Sequence, residues 1–267
     1  MMRSKVRYAG LALAAVLLLT GCLQSRTVIN VNSDGSGTVE ETFLMREDVA
    51  QMMASMGGEE SFSLLDRDEL RGAASDYGSG VNFESAEEMS TDWGTGYVVV
   101  YAFDDINELR VNQNPSDDMP EAAGETEGAV EYIRFTMTQG NPATLEIVLP
   151  EPEEEAAPGG SDSMPESGEA PEISSEQMQG MASAYTDMRV SVDVVVNGTI
   201  VDTDATHRDG NRVTLIDMDF NKILEDPAVM QQLAQQEPGS LSAVETMVTD
   251  IPGIAVETRR RVQVRFR

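Results

Sequence analysis

A period of two in the apolar residues, repeated along most of the chain, constrains its fold more than any other feature. In the clearest case, residues 190–196, every second residue is valine, and Ser191 and Asp193 lie between them. Successive side chains of a β-strand point to opposite faces, so this alternation predicts a strand with one buried face. Comparable patterns predict strands at residues 26–32, 38–44, 81–85, 97–103, 131–138, 144–149, 199–203, 213–220 and 254–267.

Helical spacing of the apolar residues is limited to shorter segments. Methionines line one predicted helix at residues 49–56 and another at residues 175–188. Further helices are predicted at residues 64–74 and after Asp226 and Ser240. Strands and helices together predict an α+β domain, with a mostly antiparallel sheet and helices packed on one face.

Two sequences are typical of tight turns between strands. Asp34-Gly35-Ser36-Gly37 predicts a hairpin that joins the first two strands. Asn197-Gly198 is the residue pair favoured in two-residue hairpins, and it predicts that the strand at residues 190–196 turns back into residues 199–203.

The first turn also matches the spacing of a calcium-binding loop. Asn30, Asn32, Asp34 and Glu41 supply oxygen atoms at the first, third, fifth and twelfth places, and Gly35 stands at the sixth. Against this interpretation, the first ligand is Asn, and the flanking segments are predicted strands instead of helices. Asparagine followed by Asp-Gly is also what a tight turn requires, so the sequence favours the plain turn over the calcium site.

The first 21 residues resemble the signal peptide of a bacterial lipoprotein. Arg3, Lys5 and Arg7 form a charged start, residues 9–19 form an apolar stretch, and Leu19-Thr20-Gly21-Cys22 matches the lipobox. The apolar stretch is far shorter than the about 20 residues that a membrane-spanning helix needs. We therefore expect cleavage between Gly21 and Cys22 and attachment of acyl chains, such as palmitate, to Cys22.

This assignment predicts a lipid-anchored protein of the cell envelope. Two or more acyl chains hold a protein stably on a membrane. Residues 22–25 are predicted as a short lipidated tether, and residues 26–267 as the folded domain. Asp usually follows the cysteine in lipoproteins retained at the inner membrane, and this chain has Leu23 there. Resemblance to that sorting rule implies the periplasmic side of the outer membrane.

The remaining composition is strongly acidic. The net charge is −29, and Lys5 and Lys222 are the only lysines. Such an excess of carboxylates would repel nucleic acid, so no nucleic-acid partner is expected. The carboxylates are spread along the whole chain. This distribution indicates adaptation to high salt and argues against the alternative, an acidic metal-binding protein. No cofactor is predicted.

Residues 151–172 form the most acidic segment of the chain. They include eight carboxylates, four prolines and three glycines, and no basic residue. Such a segment cannot bury enough apolar surface to offset the entropy of ordering. The sequence therefore predicts a flexible acidic insertion, which would be the linker if the domain divides into two lobes.

The basic residues near the C-terminus form the one cationic cluster. Arg259, Arg261, Arg265 and Arg267 lie on the polar side of the last predicted strand. They could bind an anionic envelope polymer or lipid phosphate, or they could pair with carboxylates of neighbouring strands. The sequence favours the internal pairing.

No catalytic constellation is recognisable in the sequence. His207 is the only histidine, and the single cysteine excludes internal disulfides and cysteine clusters. We therefore expect a non-enzymatic binding or structural component of the envelope, with envelope proteins or glycans as its possible partners. The alternative is a carrier that holds a lipid or another apolar ligand in a pocket between the sheet and the Met-lined helices. An enzyme would require several carboxylates gathered in a cleft with His207.

Two segments resemble a family of bacterial envelope proteins. The Asp-Gly-Ser-Gly hairpin close behind the lipobox and the run VDVVVNGTIVDTDATHRDGNRVTLIDMDF are similar to uncharacterised lipoproteins of the mycobacterial LppM type. This resemblance implies an α+β domain that handles lipid or is associated with the envelope. It carries over no catalytic residues.

Overall fold

In the computed structural model, residues 23–56, 64–112, 132–150, 185–225 and 253–267 are described. The strands in these ranges are β1 Leu23–Val31, β2 Gly37–Arg46, β3 Val81–Ser90, β4 Gly94–Phe103, β5 Arg110–Asn112, β6 Tyr132–Thr138, β7 Ala143–Val148, β8 Arg189–Val196, β9 Ile200–Thr203, β10 Arg208–Asp209, β11 Arg212–Asp219, β12 Ala255–Val256 and β13 Arg261–Phe266. The α-helices are α1 Glu47–Met56, α2 Arg67–Ala73 and α3 Phe220–Leu224, and short 3₁₀ helices lie at Ala74–Tyr77 and Ile106–Glu108.

The larger of two sheets contains eight strands. Its order is β10-β11-β8-β1-β2-β4-β3, and β12 also pairs with β11. Neighbouring strands are antiparallel except for β1 and β8, which run parallel with Gln24 opposite Arg189. The predicted mostly antiparallel, sheet-rich architecture is confirmed.

The smaller sheet has the strand order β5-β6-β7-β13-β9. Alternate residues of its strands are buried, and they include Ile133, Phe135, Leu145, Val264 and Phe266. These residues belong to the same hydrophobic cluster as Ile29, Val39, Val99 and Val194 of the larger sheet. Each such side chain contributes roughly 1.5–3 kcal/mol on burial, so the shared core holds the two sheets together. The sequence predicted helices over this face, and the described structure has the smaller sheet there.

Each sheet combines strands from both sides of the acidic segment at residues 151–172. In the larger sheet β8 pairs with β1, and in the smaller sheet β13 pairs with β7. Residues before and after that segment therefore share both sheets and one core.

The first strand begins earlier than predicted. β1 starts at Leu23, and Leu23, Gln24 and Ser25 pair with Met45, Leu44 and Phe43 of β2. The assignment of residues 22–25 to a tether is therefore wrong from Leu23 onward. These residues lack the alternation of a strand, and the long partner β2 brings them into the sheet.

The predicted hairpin at Asn197-Gly198 is not formed. β8 already lies between β1 and β11, so it has no free edge for the chain that follows. Gly198 does not adopt the positive φ that a type I′ turn needs, and β9 pairs with β13 in the smaller sheet. The chain crosses between sheets here, and the Asn197 N–H donates to the Val31 carbonyl at 2.8 Å.

The predicted last strand is divided between the two sheets. β12 pairs with β11 of the larger sheet, and β13 lies between β7 and β9 of the smaller one. Residues 257–260 cross from one sheet to the other. The pattern of buried Val262, Val264 and Phe266 with exposed arginines between them is confirmed for β13.

The surroundings of β4 and two short helices complete the described fold. β4 lies between β2 and the edge strand β3, and Val98 and Val100 on its second face are half-buried. Asp105 is the N-cap of the 3₁₀ helix at Ile106–Glu108, and its side chain accepts from the Asn107 N–H. The predicted helix at residues 64–74 is shorter, as α2, and continues into the 3₁₀ helix at Ala74–Tyr77.

Several predictions fall outside the described residues. They are the signal peptide with Gly21 and Cys22, the acidic insertion at residues 151–172, the helices after Asp226 and Ser240, and most of the predicted helix at residues 175–188.

Candidate functional site

The sheet begins directly after the predicted lipidation site. Leu23 follows Cys22 in the sequence, is 3% exposed and pairs with Met45 of β2. Consecutive Cα atoms across a trans peptide are about 3.8 Å apart, so an acyl group on Cys22 would be joined to the sheet without an intervening tether.

The same end of the larger sheet gathers several chain segments. β1 is parallel to β8 and antiparallel to β2, which is antiparallel to β4, so β1, β4 and β8 all begin here. The turn from β3 to β4, which contains Trp93, and the connection from β2 into α1 lie at this end as well. We call it the Leu23 end. Its opposite, where the β1–β2 turn lies, is the hairpin end.

The arginines at the Leu23 end are engaged with carboxylates. Arg46 donates from Nε to Oδ1 of Asp48 at 2.6 Å and from Nη2 to Oδ2 at 2.9 Å. These hydrogen bonds, with the charge of the guanidinium, hold the pKa of Asp48 below its ordinary value. Arg189 makes a bidentate contact with Asp217, with both distances 3.0 Å. Neither guanidinium is presented as an unpaired cation.

The hairpin geometry favours the plain turn over the calcium loop. Asn30 donates to Thr38 Oγ1 at 3.3 Å, and Asn32 donates to Ser36 Oγ at 2.9 Å. Asp34 accepts from the hydroxyl and the backbone N–H of Ser36, at 2.7 and 3.1 Å. The hydroxyl bond contributes most to a lowered pKa of Asp34.

The last proposed calcium ligand lies away from this turn. Glu41 is opposite Thr27, three residue pairs along the β1–β2 ladder from the Asn30–Thr38 pair. With about 3.3 Å per residue along a strand, the hairpin separates Glu41 from Asp34 instead of wrapping both around one ion.

Two of the C-terminal arginines pair within the smaller sheet. Arg261 Nη1 lies 2.7 Å from Glu146 Oε1 of β7, and Arg265 lies 3.8 Å from Asp202 of β9. Both arginines are exposed, so each pair contributes no more than about 1 kcal/mol. Arg259, which precedes β13, and Arg267, which follows it, are also exposed. The predicted internal pairing is observed for Arg261 and Arg265.

A buried carboxylate lies in the middle of the larger sheet. Asp193 of β8 is 6% exposed and pairs with Arg212 of β11. It also accepts from Thr214 Oγ1 at 2.8 Å, and Arg26 of β1 lies 3.9 Å away. The sequence contained a signal for this cluster, since a charged residue in an otherwise apolar strand requires a partner.

A second buried carboxylate ties the crossings between the sheets together. Glu257 is 4% exposed, and it accepts from the backbone N–H and the hydroxyl of Thr206 at 2.6 and 2.9 Å and from the backbone N–H of Arg259 at 2.9 Å. Thr206 lies between β9 and β10, and Arg259 between β12 and β13. No short-range sequence pattern indicated this role.

His207 has no catalytic arrangement around it among the described residues. Its Nε2 lies 3.2 Å from the backbone carbonyl of Val256. Within the described ranges, no group of three or more His, Cys, Asp or Glu side chains is placed to hold a metal ion. In the same ranges, no helix combines the length and apolarity that crossing a bilayer would take.

A shallow depression of about 530 Å³ lies beside α2 and the start of β3. Gly72, Gly78 and Gly80 are among its lining residues, and the guanidinium of Arg71 lies over the ring of Phe83 at 5.0 Å. Arg71 also pairs with Asp68 at 2.7 Å. The depression is therefore open, and Arg71, the charged residue of its lining, already has partners.

No protein-family model and no curated protein matches this sequence. Among solved structures, the chain is similar to the folded domain of the Mycobacterium tuberculosis protein LppM, determined by NMR. The identity is 10%, the TM-score is 0.35, and the match covers 92% of this chain and 91% of the other. At this identity, function is argued from the chain's own residues.

Proposed function

We propose that this protein is a bacterial cell-envelope lipoprotein, anchored by acyl chains on Cys22, whose sheet-rich body has a non-enzymatic binding or structural role. Resemblance of the Cys22-Leu23 junction to the sorting rule favours the periplasmic side of the outer membrane. Envelope proteins or glycans are its expected partners.

The position of the lipobox against the first strand carries this proposal. The core residues Ile29 and Val31 belong to β1, which begins at Leu23. An ordinary secretory cleavage a few residues later would remove part of this strand. Cleavage before Cys22 removes the whole apolar leader and leaves β1 intact, as a lipoprotein requires.

The paired arginines support a structural role for β13. Glu146 and Asp202 already neutralise Arg261 and Arg265, which lessens the case for capture of an external anion. No observation favours the apolar carrier, because the inner face of the larger sheet packs against the smaller sheet in the described residues.

Processing in a bacterial host tests the anchor. The full chain should lose residues 1–21, gain the mass of a thioether-linked diacylglyceryl group at Cys22 and partition into detergent. Cys22→Ala is the matched control, and it should keep the leader and gain no lipid. Native protein that begins at Met1, or that partitions into water with a free thiol, contradicts the proposal.

A further inference from the structure

We infer that the Leu23 end of the larger sheet lies against the headgroup region of the bilayer that holds the acyl chains, with the β3–β4 turn and Trp93 in contact with lipid. This inference rests on the proposed lipidation of Cys22. It adds an orientation and a contact surface, which an anchor alone does not define.

The missing tether supplies the first argument. A lipoprotein whose folded body follows a long linker can take any orientation above the membrane. Here the residue after Cys22 is already paired in the sheet, with Leu23 opposite Met45 and Gln24 opposite Arg189. Acyl chains on Cys22 would therefore hold this end of β1 at the bilayer surface, because one peptide unit spans only about 3.8 Å.

The position of Trp93 supplies the second argument. Gly94 pairs with Arg46, which follows Met45, so Trp93 lies just beyond the row of the sheet that contains Leu23. β4 is two strands away from β1, a lateral distance of about 10 Å. The turn is thus close enough to reach the same patch of bilayer as the acyl chains.

The chemistry of Trp93 fits that place. It is the single tryptophan of the chain and is partly exposed, on a tight turn closed by a 2.8 Å bond from Thr91 N–H to the Gly94 carbonyl. Its indole Nε1 is buried and has no hydrogen-bond partner among the described residues, so the exposed part of the side chain is apolar ring surface. Tryptophan is enriched at membrane interfaces, where an amphipathic ring is accommodated by both lipid chains and headgroups.

The charges at the Leu23 end determine which lipid headgroups it can contact. Arg46 and Arg189 are engaged with Asp48 and Asp217, and the protein as a whole is strongly acidic. Contact with the bilayer is therefore made by the tryptophan ring and the acyl chains instead of by cations. It should be strongest on zwitterionic lipid or at high salt, which screens repulsion from anionic headgroups.

The opposite end provides an internal reference. β1 has nine residues, so the hairpin end lies about 30 Å from the Leu23 end. Ser33 is exposed in the β1–β2 turn there. A tryptophan at Ser33 would be held away from the bilayer if the Leu23 end faces it.

The experiment uses the full, lipidated protein in phosphatidylcholine vesicles whose acyl chains carry bromine, a short-range quencher of tryptophan. We expect the native protein to lose Trp93 emission and to shift its maximum to shorter wavelength, compared with vesicles without bromine. The matched variant combines Trp93→Phe with Ser33→Trp, and its emission should stay unchanged. Co-flotation with the vesicles is measured on the same samples.

The outcomes separate the two proposals. If the protein does not float with the vesicles and Cys22 is unmodified, the proposed lipid anchor is wrong. Flotation with unquenched Trp93 leaves the anchor intact and overturns the contact surface. Equal quenching of Trp93 and of the Ser33 reporter also overturns it, because the body would then have no fixed orientation.

Discussion

The β1–β2 hairpin and the crossings around Glu257 reverse the chain in opposite ways. The reversal of the hairpin is made by its own residues, since the Asp34 carboxylate accepts from the backbone N–H and the hydroxyl of Ser36. Distant residues then hold the finished turn, with donors from Ile106, Gln139 and Asn197. The crossings are held by a buried carboxylate that reaches Thr206, which is 51 residues away in the sequence. A hairpin turn of this type can be predicted from neighbouring residues. The crossings depend on contacts that exist only in the folded protein.

The difference also concerns the solvent. Asp34 is exposed, and water can replace any bond that it loses. Glu257 is almost fully buried, and its hydrogen bonds to Thr206 and Arg259 are partly buried, so water replaces its carboxylate less readily than that of Asp34. The crossings should therefore be far more sensitive to substitution than the hairpin.

Glu257→Ala should have the largest effect. It leaves the N–H groups of Thr206 and Arg259 without their acceptor, at a combined cost of about 3 kcal/mol in the free energy of unfolding. Urea denaturation in concentrated salt measures this change in the free energy of unfolding. Glu257→Gln keeps one acceptor oxygen and should lose less, which preserves the test if the alanine variant does not fold.

Glu146→Ala is the matched control for this prediction. It removes a carboxylate of the smaller sheet whose partner Arg261 is exposed, so the expected loss is below about 1 kcal/mol. Equal losses for Glu146→Ala and Glu257→Ala would contradict the role assigned to the buried carboxylate.

Gly35→Ala should have an intermediate effect. Gly35 has φ of +91°, and an added Cβ would meet only Met137 Sδ at 3.8 Å. Backbone strain, without a clash, should therefore lower the free energy of unfolding by about 1 kcal/mol. The comparison variant is Gly72→Ala in α2, where a Cβ has open space and φ is not positive, and it should not destabilise.

Ser36→Ala should have the smallest effect, visible in titration. The Ser36 hydroxyl is the largest cause of the low pKa of Asp34, so its removal should raise that pKa toward the ordinary value. A native pKa below the unfolded value stabilises the fold above the unfolded pKa, and the contribution is lost as pH falls through the native pKa. The acid-range slope of stability should therefore flatten in the variant.

NMR titration of the Asp34 carboxyl carbon measures this shift directly. Asp48 is a reference in the same spectra, because its low pKa depends first on Arg46 and should not respond to Ser36→Ala. An unchanged pKa of Asp34 would show that the hairpin is not held by this hydroxyl.

Much of the sheet could be predicted from local patterns. The alternation in β6, β7 and β13 predicted their buried residues, and the β1–β2 turn follows from Asp34-Gly35. In β8 it predicted the four buried valines, but Ser191 and Asp193 on the other face are buried too. The pleat of a strand makes the period of two a local property, which is why it can be found in single segments. The candidate anchor is local too, since a lipobox is four consecutive residues.

The pairing of the strands could not be predicted in the same way. Asn197-Gly198 has the chemistry of a hairpin, yet β8 has both edges occupied by β1 and β11, so the chain leaves for the smaller sheet. Residues 254–267 have one continuous pattern, yet they divide at Glu257. Which edges are free is known only when all the strands are in place.

The sequence by itself therefore determined most of the segments that become strands, the apolar side chains that they bury, and the lipobox that defines the proposed anchor, because each depends on neighbouring residues. Only the tertiary structure decided that a second sheet covers the first, that Glu257 joins the crossings, and that Trp93 lies at the end of the sheet that follows Cys22. Those arrangements depend on contacts between residues far apart in the chain, whose geometry no local pattern contains.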